Sequence, residues 1–330
     1  DLSGRDLTGT ILKGQDLSGR DLTGTILKGA DLTDVALPNI SLSKSNFQKT
    51  IFDGIDLSGK DLSLTSFWNA SFKNTNLENA NLYWSDLMKT DLYKIKNKSL
   101  AGADLTNASF LLANLSGVNL SDAVLFSTNF LRTDLSGVDF TATEPTAVIF
   151  AYSNLANSNF EGVNMSPTQS YSETFENKGH LDPSIWTQTD PYGGFSDRYS
   201  QETFWDHRKL IEELFVWDMN NLLIISTEVR GNDLVVNYVF FNNFWKTNLE
   251  NANFKNAILW FAEFYSADLT NADLSGADLR KAVFTNANLT NANLQGADLT
   301  EADFTGANLS YATYDQNTIL NCIGHSICVN

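Results

Sequence analysis

Residues 267–286 read Ala-Asp-Leu-Thr-Asn-Ala-Asp-Leu-Ser-Gly-Ala-Asp-Leu-Arg-Lys-Ala-Val-Phe-Thr-Asn, four successive copies of one five-residue unit. Each unit has a small residue, usually an acid, a large apolar centre and two mostly polar residues. Working outward, the apolar centre recurs every five residues from Phe244 through Leu249, Phe254 and Leu259 to Leu309, Tyr314 and Ile319, and alanine holds the small position from Ala252 to Ala312. The same period runs from Leu2 to Leu92, and again from Leu100 through Phe110, Phe130 and Phe150 to Met165, with only Pro145 breaking the apolar rule. Between these two runs, residues 94–99 add three residues to the frame.

A period of five matches neither the 3.6 of a helix nor the 2.0 of a strand, so every unit must contain its own turn. On a helix, steps of five would spiral the apolar set around the axis and leave no single buried side.

The units resemble the A(D/N)LXX motif of the pentapeptide-repeat family. The resemblance implies an all-β solenoid, a right-handed quadrilateral β-helix with four pentads to a coil and the centre and small residue facing inward. Nineteen, 14 and 16 pentads in the three runs would give about twelve coils, stacked at ~4.8 Å. Residues twenty apart should then lie above one another. Two phenylalanine series, Phe244, Phe264, Phe284, Phe304 and Phe110, Phe130, Phe150, are expected to form ladders. Arg5, Arg20 and Lys60 stand in the small inward position, where a buried unpaired cation would be costly, so they are expected to turn outward or pair with aspartates.

The chain of 330 residues is 42% hydrophobic and 18% charged, with a net charge of −17, which argues against extensive disorder and against a basic nucleic-acid binder. No apolar run approaches the ~20 residues of a membrane-spanning helix. Residues 1–165 carry 18 acidic and 13 basic side chains, 241–330 carry 9 and 4, and the remaining 12 and 5 fall between them.

The expected organisation is a first solenoid segment over 1–165 with its phase break at 94–99, an inserted α+β subdomain over 166–240, a second solenoid segment over 241–321, and a C-terminal loop over 322–330. Within the insert the pattern predicts a helix near 201–221 and a hairpin near 222–240. Outward aromatic residues just after it, Trp245, Trp260, Phe261 and Tyr265, suit a docking surface for the insert or a partner. Trp68, Tyr83, Trp84, Met88 and Tyr93 make a second such cluster.

Cys322 and Cys328 fit a short disulfide sealing the solenoid, two free thiols, or a metal shared with His325; the disulfide is adopted, and it implies an oxidising compartment. Asn97-Lys98-Ser99 is a glycosylation sequon lying in the phase break, whereas Asn114-Leu115-Ser116 and Asn288-Leu289-Thr290 follow from the repeat itself. Residues 1–14 and 16–29 are identical; a fifteen-residue shift moves each pentad to another face, which points to duplication under structural constraint. The first coil, with Asp1, Leu2, Leu7, Leu12 and Leu17, begins without a cap, and an open β edge recruits other chains.

No phosphate-binding loop, nucleophile elbow or zinc-protease motif is present, and no cofactor is indicated. Asp206, His207, Glu212 and Glu213, with His180 and Asp182 upstream, are the best catalytic or metal-binding constellation; His207 and Glu212 stand poorly for one metal on a helix. Asp268, Asp273 and Asp278 lie a quarter-turn apart and suit turn stabilisation better than calcium. The function expected is therefore a non-catalytic structural or protein-interaction scaffold, exported to the cell surface or outside, assembling end to end through its first coil. A cytoplasmic binder of a type II topoisomerase such as DNA gyrase, imitating DNA, is the alternative, and an enzyme or metal site in the insert the second. Family members that bind gyrase motivate the former, but interspersed lysines weaken the continuous negative field it requires.

Overall fold

In most pentads the N–H three residues after the centre donates to the central carbonyl, as from Ala70 to Phe67 (2.8 Å) and from Ala272 to Leu269 (3.0 Å). The residue two past the centre has positive φ, 56° at Asn69 and 59° at Asn271, so the corner is a type II turn. Between corners, the central N–H donates to the next coil, Phe67 to Asp86 (2.7 Å) and Leu269 to Asn288 (2.7 Å). Parallel bridges pair residues twenty apart, such as Ser66 with Asp86 and Asp268 with Asn288. This is the computed structural model of the chain, and it describes residues 2–22, 24–37, 41–165, 171–175, 222–230, 233–240 and 242–328. Two compact units are present, one of Asp1–Ser166 with Asn242–Asn330 and one of Pro167–Phe241.

The first unit is a four-sided β-solenoid. Following the bridges gives four faces, named here by their centres. Face A carries Phe47, Phe67, Leu87, Phe110, Phe130, Phe150, Phe244, Phe264, Phe284 and Phe304, and faces B, C and D follow at successive pentads. The phase break lengthens the step from 20 to 23 in Asn81–Asp104, Asp86–Ser109 and Asp91–Asn114. The three extra residues are taken up at one corner by two 3-10 turns, Leu92–Lys94 and Lys96–Lys98.

Between Met165 and Asn242 the chain leaves the solenoid and returns in register. Ile149 bridges Asn243, Asn154 bridges Asn248 and Asn159 bridges Asn253, each pair 94 residues apart and otherwise like its neighbours. The two phenylalanine series are therefore one. Phe110, Phe130, Phe150, Phe244, Phe264, Phe284 and Phe304 stack with centroids 4.7–5.7 Å apart. A second ladder, Phe140, Phe160 and Phe254, meets the first edge-on, and offset stacks of this kind add about 0.5–1.5 kcal/mol per pair beyond area burial.

Several small buried hydroxyls bond a carbonyl of the preceding coil. Thr50 donates to the Leu27 carbonyl (2.6 Å), Thr75 to Phe52 (2.7 Å) and Thr133 to Phe110 (2.7 Å). The expected asparagine and aspartate turns are present: Asp268, Asp273 and Asp278 each accept the N–H two residues on, from Thr270, Ser275 and Arg280. They stand on faces B, C and D.

Several expectations need correction. Tyr314 and Ile319 are not core centres; both lie about half exposed. An extra residue enters at the Asp315–Thr318 turn, so Asp298 bridges Ile319 at a step of 21, and Leu320 moves into the partly buried central place. Cys322 then points inward and is buried, and Ile323 bridges Asp303, so the solenoid runs past residue 321. Arg5 and Arg20 do turn outward as expected and Lys60 is half-buried, while their backbone keeps the turn bond to Leu2, Leu17 and Leu57. In the first coil Leu2, Leu7 and Leu12 are only partly buried and Leu17 is buried.

The second unit contains a three-stranded antiparallel sheet: β1 (Tyr171–Phe175), β2 (Leu222–Arg230) and β3 (Asp233–Phe240), in the order β1-β3-β2. β2 and β3 pair from Leu222–Phe240 to Arg230–Asp233, with an irregularity between Ile224 and Ser226. The predicted helix at 201–221 lies outside the described residues, as do His180, Asp182, Asp206, His207, Glu212 and Glu213.

The return point is held by Asn242, a buried residue in the small inward place. Its Nδ2 donates to the Met165 carbonyl (2.8 Å), and its Oδ1 accepts from Val148 N–H (3.0 Å). Asn242→Leu keeps the volume and strands both groups, each costing about 1–3 kcal/mol. A loss of at least about 2 kcal/mol in urea denaturation is expected, against less than about 0.5 kcal/mol for a surface substitution such as Gln295→Ala.

Candidate interaction surface

The two residues after each centre form the outer corner of every coil, so each face displays a file of paired side chains at the ~4.8 Å rung spacing. The solenoid's register sorts the predicted aromatics by face. Trp68, Met88, Trp245 and Tyr265 share face A; Tyr83, Trp84, Trp260 and Phe261 share face D; Tyr93 stands on face B. The two clusters of the sequence are thus two parts of the same pair of faces. Tyr83, Trp245 and Tyr265 are exposed, and the others are half-buried.

On face A the corner bonds run without interruption from Lys49 N–H to the Trp68 carbonyl, through Asn69, Lys89, Leu112, Arg132 and Tyr152, to Lys246 N–H on Tyr265. Lys49 and Lys89 flank the Trp68 ring, with Nζ 5.0 and 5.7 Å from its centroid. Arg132 and Lys246 flank Tyr152 in the same way, at 5.6 and 5.3 Å. Among the described residues none of these four cations forms an ion pair. On face D, by contrast, Arg280 over Trp260 and Lys281 over Phe261 are paired with Asp278 and Glu301.

All four face-A cations occupy the left-handed corner, with φ of 59°, 60°, 55° and 50° at Lys49, Lys89, Arg132 and Lys246. Leu112 and Tyr152 do so too, at 60° and 58°. Outside the phase break, the positive-φ corners of faces B and C between Gly54 and Asn256 hold only Gly, Asn or Asp. Those residues accept this conformation readily, whereas a bulky side chain costs roughly 1–2 kcal/mol. Face A accepts that cost six times. Lys49, Lys89, Arg132, Tyr152 and Lys246 form no pattern in the linear sequence, because their spacings fold in the phase break and the insert; stepping by 20, 23 and 94 aligns them.

Face A also holds an unusual carboxylate. Glu263 is half-buried, and its Oε2 accepts from the Trp245 indole N–H (2.5 Å). Burial raises its pKa to about 7, with the indole bond opposing. Asn243 and Val283 flank it on the adjacent rungs and bring no charge. The corner aspartates behave oppositely: hydrogen bonds from Thr8, Ser18, Thr33 and Ser58 hold Asp6, Asp16, Asp31 and Asp56 below the usual carboxylate range.

At the C-terminal end Cys322 and Cys328 are bonded (Cα–Cα 4.9 Å), so neither is a free thiol or a metal ligand. Ile327 and Cys328 pack on the last core layer, and His325 Nδ1 accepts the Ile327 N–H (3.3 Å). Asn97 is exposed on the phase-break corner with φ of 56°. No group of three His, Cys, Asp or Glu converges as a metal site among the described residues.

The two kinds of carboxylate predict opposite pH slopes. Aspartates with lowered folded values add stability above the unfolded range, and it is lost as pH falls through their folded values. Glu263, with a raised value, favours the folded state below its unfolded 4.5, and that contribution disappears as pH rises to about 7. Screening on a half-exposed edge reduces the effect to about 1–2 kcal/mol. Urea melts from pH 4.5 to 8 should show this decline in the native chain and not in Glu263→Gln.

A model of the family described as pentapeptide repeats matches in 8 copies, over residues 1–34, 25–63, 61–92, 99–141, 247–286 and 282–313. Among solved structures, the pentapeptide repeat protein Rfr23 from the cyanobacterium Cyanothece 51142 is 38% identical over 24% of this chain and 56% of its own, with a TM-score of 0.22. This chain thus spans little more than half of that protein. HetL, involved in heterocyst differentiation regulation in Nostoc sp. strain PCC 7120, is 21% identical over 97% of this chain and 88% of its own, with a TM-score of 0.20. QnrB1, a plasmid-mediated fluoroquinolone resistance protein, is 14% identical over 94% and 92%, with a TM-score of 0.28. No curated protein matches. With eight motif copies spread over both solenoid segments, on a coil that turns once every five residues, the chain belongs to the pentapeptide-repeat family.

Proposed function

We propose that this protein is a non-catalytic interaction scaffold, exported to an oxidising compartment, in which a stiff core serves to hold side-chain files at fixed spacing. The observation that carries this reading is the division of labour among faces. Between Gly54 and Asn256, outside the phase break, the positive-φ corners of faces B and C keep the residues that stabilise the turn, while faces A and D place large aromatic, aliphatic and cationic groups at many of theirs at a conformational cost. Long solenoid faces are suited to extended partners. Export is supported by the Cys322–Cys328 bond, since such bonds persist outside reducing compartments.

A second reading, in which the surface imitates duplex DNA for a type II topoisomerase, is favoured by face C, where Asp122, Asp139, Glu161 and Asp273 precede or occupy corners. A supercoiling assay with purified gyrase separates the two readings, because imitation requires inhibition that survives loss of the face-A cations.

A photo-crosslinking residue at Leu112 on face A, at Leu64 on face D or at Gly137 on face B, in the full chain expressed in its source cell, tests the scaffold directly. Adducts confined to faces A and D are expected, with Cys322 and Cys328 protected from alkylation until reduced. Equal labelling of all three faces, or none, would overturn the scaffold, and free thiols in the native protein would overturn export. Adducts of twice the chain mass would identify the partner as a second copy.

A further inference from the structure

Face A is a basic and apolar stripe on an acidic protein. From Ser109 to Lys246 its outward residues include no acid, and from Asn46 to Lys89 they include one, Asp86, in a chain of net charge −17. The cations of its left-handed corners are also periodic, Lys28 on the coil before Lys49 standing one place earlier in its unit. Lys49, Lys89, Arg132 and Lys246 occupy alternate coils, two rungs apart each time, which at ~4.8 Å per rung is about 9.6 Å. On the intervening coils stand Trp68, Leu112 and Tyr152, so charge and apolar surface alternate along the axis.

Resting on the scaffold reading above, we infer that face A binds an extended, proline-rich acidic peptide segment in the polyproline II conformation, lying along the solenoid axis with a carboxylate at every third residue. Polyproline II has three residues per turn and rises 3.1 Å per residue, so equivalent side chains recur at about 9.3 Å. That matches the cation period over all four positions. A β-strand repeats one side at about 6.8 Å and falls out of step at once. An α-helix offers about 10.5 Å at seven-residue spacing and drifts by nearly 3 Å across the array. Between carboxylates, paired prolines would lie over Trp68, Leu112 and Tyr152, the contact that aromatic surfaces make with such helices. The carboxylates would meet cations whose partners among the described residues are aromatic rings, and charge-assisted hydrogen bonds of that kind are the strong ones.

The position of the cations supplies its own control. Lys89→Asn and Arg132→Asn each put the residue preferred by a left-handed corner in place of one that is not, so the variants should melt at the native temperature or above it. The probe is a synthetic peptide with four Glu-Pro-Pro units, its binding to the full chain followed by calorimetry and tryptophan fluorescence. Saturable binding at low salt is expected, weakened at least tenfold by each substitution and lost in the double variant. A four-unit Glu-Pro-Pro-Pro peptide, of equal charge and wrong period, should bind at least tenfold more weakly, and a Gln-Pro-Pro peptide should not bind.

Equal binding of the two glutamate peptides would overturn the inference, as would tighter binding of polygalacturonate or duplex DNA, which would make face A a site for another polyanion. Undiminished binding by the stable double variant would overturn it too. If no peptide binds while the Leu112 crosslinks stay confined to faces A and D, the scaffold reading stands and this one falls. If the crosslinks are indiscriminate, the scaffold reading itself has failed.

Discussion

The backbone ladder between coils is the constraint on which the rest depends. Each central N–H must find a carbonyl on the coil beside it, so a coil that returned out of register would bury unpaired polar groups on every side. The apolar centres benefit from this arrangement but do not enforce it, since a leucine or phenylalanine fills the interior equally well. Register explains why both interruptions are conservative. Three extra residues are turned into a local bulge between Leu92 and Ser99, and the long excursion after Met165 returns to the rung it left. The ring stack of Phe150 on Phe244, 10° from parallel, shows that the core does not sense the interruption.

Where a repeat departs from its rule, the ladder's demand reappears as a specific side chain. Asn242 ties the Met165 carbonyl with its amide where the chain leaves the repeat, and Thr318 donates to the Leu294 carbonyl where an extra residue has moved the last turn. Both stand in the small inward place, where only a short polar group could fit and reach the backbone. Ser158 is the contrasting case: it occupies the same kind of place, and its hydroxyl is buried without a partner. The lattice tolerates one such group, but not loss of the backbone bonds themselves.

Most of the solenoid was legible in the sequence because a period of five is incompatible with any other regular structure, and the inward places are written twice per unit. The frame shift before Leu100 was legible by counting. The shift by one at Asp315–Thr318 was not, because Tyr314 and Ile319 are apolar and keep the old period while the backbone leaves it. In the second unit the β2–β3 pair was marked by its alternating residues and central Gly231-Asn232, whereas β1, five residues in Tyr171–Phe175, has no such signal. The surface was legible only in pieces. Aromatic residues stood out singly, but Trp68 and Tyr152 come onto one face only when the three extra residues of the phase break are counted, and Trp245 joins them only across the insert. Lysines look ordinary in a string; their alternation on successive coils is a property of the fold.

A corner that needs positive φ is a natural place to separate stability from display. Gly and Asn there serve the turn, as Asn251, Asn271 and Asn291 do while also bonding one another along face B at 3.1–3.2 Å. A lysine, arginine or tyrosine at the same corner gives up that benefit and gains reach into solvent. The choice is made coil by coil and face by face, without disturbing the core, because the corner points outward and the ladder bonds involve backbone alone. One solenoid can therefore carry two stabilising faces and two displaying ones. The displaying faces differ in turn: on face D Arg280 and Lys281 are matched by Asp278 and Glu301, and on face A, among the described residues, Lys49, Lys89, Arg132 and Lys246 are left to aromatic rings. A cation held only by a ring keeps most of its charge available, since a quadrupole attracts without neutralising. Face A is thus the surface on which an incoming carboxylate displaces no internal ion pair.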